Sequence, residues 1–268
     1  RMELRSHSDG RLLWSRKQEL RGRIAATENT LLLQERADAY QPGTRIEAFR
    51  RENGRRLFSR NSRGAVAAIA TGRPLAVTTN ADATRLELIS LQSGLSIRSF
   101  PVPETLDSAA EGATRVRDVA FVGPDGFLAA FDGGTVARYR VGVAGAGSLG
   151  VSWSYESENR LQPLGMYEGM LYLTDRESNG VVLLDGRSGA HRRTRELPFK
   201  MTPDVPFVLS EGYLAGFGLS RSARREVVVY RVPALDYLDS HVIFGVPRFP
   251  PAILGDRVAY VSGMASKE

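Results

Sequence analysis

The feature that most constrains this chain is a tract that repeats along its whole length. An apolar segment, a turn of two residues and a second apolar segment recur, and the second segment starts at Leu31, Leu75, Phe127, Met170, Tyr213 and Val258. The spacings are 44, 52, 43, 43 and 45 residues. The turns read Glu28-Asn29, Gly72-Arg73, Asp125-Gly126, Glu168-Gly169, Glu211-Gly212 and Gly255-Asp256. Gly, Asn and Asp suit tight turns because they tolerate positive φ or bond to nearby backbone. The unit continues with a polar loop, an alternating strand such as Arg85-Leu86-Glu87-Leu88-Ile89-Ser90, a turn often ending in Gly, and a last short strand. Alternation over segments this short reads as β-strand, and no helical period intervenes. A fixed period of this length built from strands is the signature of a solenoid or a propeller.

The ends of the chain choose the propeller. Residues 3–7 and 11–14 read as the third and fourth strands of a unit, and residues 251–254 and 258–261 as a first and a second. Joined, they restore one full period, and a ring closed this way leaves no unpaired terminal unit. The expected fold is therefore all-β: a single domain over residues 1–268, a six-bladed β-propeller of four-stranded antiparallel blades, with the closing blade shared between the N- and C-termini. The complete blades run over 20–61, 64–102, 114–156, 161–197 and 204–244, and the closing blade pairs 249–261 with 2–14. A mixed β-sandwich of loosely similar hairpins is the competing architecture, but it gives no reason for the two half-units to restore the period.

The turn and fourth strand Asp9-Gly10-Arg11-Leu12-Leu13-Trp14 resembles the repeat of the pyrroloquinoline-quinone-type, quinoprotein-like β-propellers, of the broader WD40/YVTN-like kind, in which a Gly precedes a short strand ending in Trp. Asn53-Gly54-Arg55-Arg56-Leu57-Phe58 has the same form with Phe, whereas the stretches around Gly94 and Gly189 keep the Gly and lose the aromatic end. The resemblance implies a superfamily that includes both quinoprotein dehydrogenases and non-catalytic scaffolds. The dehydrogenases are generally eight-bladed and hold their cofactor with Ca²⁺ bound by Glu, Asn and Asp, in chains that often contain adjacent cysteines. Six blades without any Cys match none of those positions, so the resemblance points to a non-enzymatic member with no cofactor. It also implies a bacterial periplasmic or extracytoplasmic setting. Trp14, Phe58 and Trp153 are expected between adjacent blades, where a flat ring fills the space between two sheets.

Composition narrows the chemistry. The sequence has no Cys, which excludes thiolate nucleophiles and thiolate metal sites. Its 36 Lys plus Arg against 30 Asp plus Glu give a net charge of +6, and only Lys17, Lys200 and Lys267 are lysines. The arginines are scattered among acids, without the stripe interleaved with exposed aromatics that a nucleic-acid surface needs. No apolar run approaches the roughly 20 residues that cross a bilayer. The three histidines, His7, His191 and His241, fall toward the rim with no metal-ligand spacing. The Gly-rich stretch 145–150 is followed by an alternating strand rather than the helix a phosphate cradle needs.

In a propeller, ligands and partners meet the ends of the axis, so charged residues on innermost strands are the candidates for a site. They are Arg21, Arg23, Arg115, Arg117, Asp118, Asp204 and Arg248. Charges next to a narrow channel need partners. A channel-lining ion pair and an anion held by convergent arginines are both readings of Arg117-Asp118. The expected function is a non-catalytic scaffold that binds another protein or another domain of its parent chain. A small-molecule hydrolase or isomerase with an axial pocket, and a purely structural domain of a larger assembly, are the alternatives.

Overall fold

A computed structural model describes residues 2–5, 11–16, 22–26, 29–35, 44–62, 68–69, 75–79, 85–101, 116–122, 126–131, 133–141, 150–202, 205, 207–247, 250–255, 257–260 and 262–263. They form antiparallel strands in chain order. The first sheet comprises Gly22–Ala26, Thr30–Glu35, Thr44–Arg50 and Arg56–Ser62, and the second Ala68–Ile69, Leu75–Thr79, Arg85–Ser90 and Ser96–Pro101. The third comprises Val116–Phe121, Gly126–Phe131, Val136–Arg140 and Val151–Tyr155, and the fourth Leu161–Tyr167, Met170–Asp175, Gly180–Asp185 and His191–Glu196. Each is a meander in which sequence neighbours pair, and each matches one expected repeat to within a few residues.

Expectation and structure part at the fifth repeat. The fifth sheet has five strands, because its first strand is split: Lys200–Met201 and Val208–Ser210 both pair with Tyr213–Leu219, which continues into Arg225–Arg231 and Asp236–Val242. The stretch between carries Pro203 and Pro206, which have no N–H to give a ladder. The blades are thus not uniformly four-stranded. The terminal segments form two-stranded hairpins, Met2–Arg5 with Leu12–Arg16 and Ala252–Leu254 with Arg257–Ala259, and Val246–Pro247 pairs Ser262–Gly263. The expected half-units are present, but no ladder joining Met2–Arg5 to Arg257–Ala259 occurs among the described pairings.

Burial explains the strand types. Second and third strands such as Gly126–Phe131 and Gly180–Asp185 are covered on both faces and read as continuous apolar runs. The fourth strand His191–Glu196 is exposed throughout and reads His-Arg-Arg-Thr-Arg-Glu. The chain divides into two compact units, residues 1–133 with 137–152, and residues 134–136 with 153–268. In the first unit, Leu32, Ile46 and Ala48 of the first sheet pack on Ala76 and Ile89 of the second. Val77, Leu86 and Phe100 of the second sheet pack in turn on Phe127, Ala137 and Tyr139 of the third. There Phe127 stacks on Tyr139 at 5.0 Å and meets Phe100 edge-on at 5.2 Å, geometries that add to area burial.

In the second unit, Tyr172, Val181 and Leu183 of the fourth sheet pack on Leu214, Val228 and Tyr230 of the fifth. Phe217 and Val227 of the fifth then meet Val258 and Tyr260 of the C-terminal hairpin. Within each unit the layers are consecutive sheets laid face to face, the β-propeller-like arrangement.

Candidate binding surface

The turns that present side chains to solvent are held by a device that recurs from sheet to sheet. The turn between third and fourth strands carries a glycine at positive φ: Gly54 at 69°, Gly94 at 72° and Gly189 at 73°. On each lies an aromatic ring from the preceding repeat. A Cβ on Gly54 would sit 2.8 Å from Trp14, one on Gly94 2.6 Å from Phe58, and one on Gly189 2.5 Å from Trp153. Only a residue without Cβ allows both that φ and that approach. Trp14 Nε1 also donates to Arg51 O at 2.7 Å, and Trp153 Nε1 to Gly186 O at 3.4 Å. The three aromatics sit between successive repeats, as the sequence suggests.

Sequence reading pairs each glycine with the aromatic that follows it in the same repeat. The contact instead links a ring to the glycine of the next repeat. The ring is aimed by a register shift in the outer ladder: Trp14 opposes Leu4 and Leu12 opposes Arg5, which leaves Leu13 bulged, and Leu57 bulges ahead of Phe58 in the same way. Such a bulge re-aims the side chain that follows it. A second bond braces these turns from within their own sheet. Arg51 N donates to Asn29 O, Gly186 N to Gly169 O and Val232 N to Gly212 O, at 2.8–2.9 Å, so the turn after the third strand is tied to the one after the first.

What the braced turns expose is charge and apolar surface. Turn 50–56 of the first sheet presents Arg50, Arg51 and Arg55 to solvent. The second sheet exposes Leu95 and Ile97, and Phe244 beyond the fifth is 87% exposed. Other charges are spent locally. Glu47, only 3% exposed, lies 3.0 Å from Arg45 and 3.4 Å from Arg56. Arg60 pairs with Glu87 and reaches Gly94 O. Asp185 accepts from Arg192 at 2.7 Å, from the Ser188 N–H and hydroxyl at 2.9 Å each, and from the Arg187 N–H. These bonds, Arg192 first, hold its carboxyl well below the usual carboxylate range. Asp175 is lowered despite the opposing cost of burial, because Asn159, Ser178 and the Ser178 and Glu177 amides all donate to it.

Arg21, Arg115, Asp204 and Arg248 lie outside the described residues. Arg23 is in the first strand of its sheet opposite Gln34, and Arg117 stands at a register shift between Val116 and Asp118. Asp118 is partly buried, and its Oδ1 accepts from Val119 N at 3.0 Å. His191 is an exposed edge residue stacked on Tyr155, His241 is exposed on the outer strand of the fifth sheet, and His7 lies outside the described residues. Among the described residues no group of three or more acids and histidines is arranged to hold a metal ion, and no helix is long and apolar enough to cross a membrane.

Layered antiparallel meanders, most of them four-stranded, with ring-on-glycine joints between repeats make a β-propeller-like fold. Comparison with solved structures agrees. The chain is similar to BamB from Moraxella catarrhalis, with a TM-score of 0.59 at 13% identity over 90% of this chain and 66% of that one. It is also similar to the dihydro-heme d1 dehydrogenase NirN, solved in complex with DHE, with a TM-score of 0.66 at 14% identity over 95% of this chain and 53% of that one. The chain thus spans under two thirds of the length of either protein. No protein-family model matches it, and no curated protein sequence does.

Proposed function

We propose that the chain is one six-bladed propeller, closed by pairing residues 249–261 with 2–14, and that it acts as a non-catalytic scaffold for another protein or another domain of its parent chain. The observation that carries this reading is the bracing of the turns. Turn 50–56 is pinned through Trp14 to Arg51 O and through Arg51 N to Asn29 O, yet holds its arginines in solvent. A surface ordered in advance loses little entropy on binding, which favours recognition over a broad area. The axial residues Arg21, Arg23, Arg115, Arg117, Asp118, Asp204 and Arg248 form its second contact zone, and the setting is extracytoplasmic, as the repeat resemblance implies.

The test is affinity capture with the intact chain, in parallel with a variant carrying Arg117→Ala and Arg248→Ala and another carrying Arg50→Ala and Arg55→Ala. Loss of one specific partner from either variant supports the scaffold and says which surface binds. Equal recovery of every partner by all three rejects both surfaces. The likeness to a dehydrogenase keeps one rival open, an enzyme with a small-molecule site on the axis. A small molecule that binds the intact chain and is turned over, with loss of both on neutralising Arg117 and Arg248, would establish it instead.

A further inference from the structure

We propose that the outer strand His191–Glu196 is a strap, held to the fifth sheet by two guanidinium groups where the other described joints use a ring, and that Leu235 imposes the exchange. The inference goes beyond the scaffold reading and does not depend on it. Three joints share one geometry, an aromatic ring lying on a glycine at positive φ in the next turn. In the fifth sheet the corresponding turn is 232–235, and the residue in the left-handed conformation is Leu235, at φ 60°. Leu235 has a Cβ, and its side chain is buried in the core between the fourth and fifth sheets. A ring laid on this turn would meet the Cβ that the three glycines lack.

The residue sent to that turn differs accordingly. In the fourth sheet, Arg193 opposes Leu183 and His191 opposes Leu184, so Arg192 is bulged and Arg193 holds the place of Trp14 and Phe58. Its guanidinium donates to Pro233 O, and Arg195, two residues on, donates to the adjacent Ala234 O. A guanidinium at the end of a flexible stem reaches carbonyls from the side and needs no flat approach over the backbone. All six residues of the strand are exposed, and the apolar core beneath it is built by Tyr172, Leu183, Leu214 and Tyr230 rather than by residues of the strand. Hydrogen bonds at a solvated rim are worth less than burying a ring. The strap can therefore leave the fifth sheet while Tyr172, Leu183, Leu214 and Tyr230 stay packed.

Hydrogen exchange of the full chain, resolved by peptide, reads this motion. Replacing both groups (Arg193→Ala with Arg195→Ala) is expected to speed exchange of the amides in 191–196 about tenfold, the loss of charge-assisted bonds. Exchange in Tyr213–Leu219, which does not pair with the strap, should stay unchanged, whereas the amides of Gly180–Asp185 that face the strap should quicken with it. The decisive arm is a sign reversal. Arg193→Trp should speed strap exchange when Leu235 is present, and slow it relative to Leu235→Gly alone when the turn carries glycine. The proposal is overturned by unchanged exchange in the double alanine variant, or by Arg193→Trp acting in the same direction in both backgrounds. Comparison within each background separates the joint from any general loosening caused by removing the buried leucine.

Discussion

Replacing Gly189 with alanine tests whether the ring-on-glycine joint is a true steric lock. Two costs add at this site. Gly189 has φ 73°, and an L-residue in the left-handed region costs about 1–2 kcal/mol. The new Cβ would also lie 2.5 Å from two ring carbons of Trp153, Cδ2 and Cε3. Relieving such an overlap costs about 1–3 kcal/mol when the neighbour is itself packed. The ring cannot retreat freely, because its Nε1 is bonded to Gly186 O. The sum is about 2–5 kcal/mol for Gly189→Ala, measured as the fall in unfolding free energy from urea denaturation followed by circular dichroism. Trp153→Ala alone should cost about 2 kcal/mol, below the 3–5 kcal/mol typical of a fully buried aromatic, since Trp153 is only half-buried. In that background Gly189→Ala has no ring to strike and should cost only the conformational part, about 1–2 kcal/mol. The two substitutions are thus coupled by about 1–3 kcal/mol, the steric part alone. An equal cost for Gly189→Ala with and without Trp153 would refute the lock and reduce the glycine to an ordinary turn residue.

Three further outcomes follow from the packing and the charges. Phe127→Ala removes the ring that both Phe100 and Tyr139 contact, and should cost about 3–5 kcal/mol in the same urea assay; a cost under about 1 kcal/mol would mean that this core is not packed as described. The hydroxyls of Tyr172 and Tyr230 are buried with no hydrogen-bond partner among the described residues, and burial pushes both phenols up from their usual range. Tyr172→Phe and Tyr230→Phe should therefore leave stability unchanged or raise it by about 1 kcal/mol, and a clear loss from either would show that its hydroxyl is bonded. Asp185 is held below its unfolded value near about 3.9, so its contribution is present above about pH 4 and is lost as pH falls through the lower folded value. The stability difference between wild type and Asp185→Asn should accordingly be constant above about pH 4 and shrink below it, and a difference that persists unchanged into stronger acid contradicts the assignment.

Much of the fold was legible because the repeat writes itself in burial. A strand covered on both faces must be apolar at every position, so Gly126–Phe131 and Gly180–Asp185 stand out as runs between turn residues. Hairpin turns are equally plain: Glu168-Gly169 and Glu211-Gly212 both take positive φ, as a two-residue connection between twisted strands requires. The split first strand of the fifth sheet was not legible as an addition. Gly216 and Gly218 face Phe207 and Phe199 at distances a Cβ could not share, and this accommodation is set by tertiary contact rather than local pattern. The axial candidates are a different matter. Their selection assumes where the innermost strands point, a property of ring closure, which no run of residues encodes locally.

The joints between repeats show where a sequence motif misleads by being nearly right. Gly54 and Phe58 look like one motif because they are close in the chain, yet they serve two joints: Gly54 receives Trp14 from the repeat before, and Phe58 is received by Gly94 in the repeat after. Losing the aromatic from the stretch around Gly189 therefore says nothing about Gly189, which still receives Trp153. It concerns the next turn instead, where a leucine stands in the left-handed position and two carbonyls accept from arginines. Read one repeat out of step, the degenerate motifs become pairings across repeats, a ring on each of three glycines, with Arg60 reaching Gly94 O beside Phe58, and two guanidiniums at the leucine turn. Each pair obeys the same constraint: what approaches a turn from one sheet must fit the Cβ present in the next.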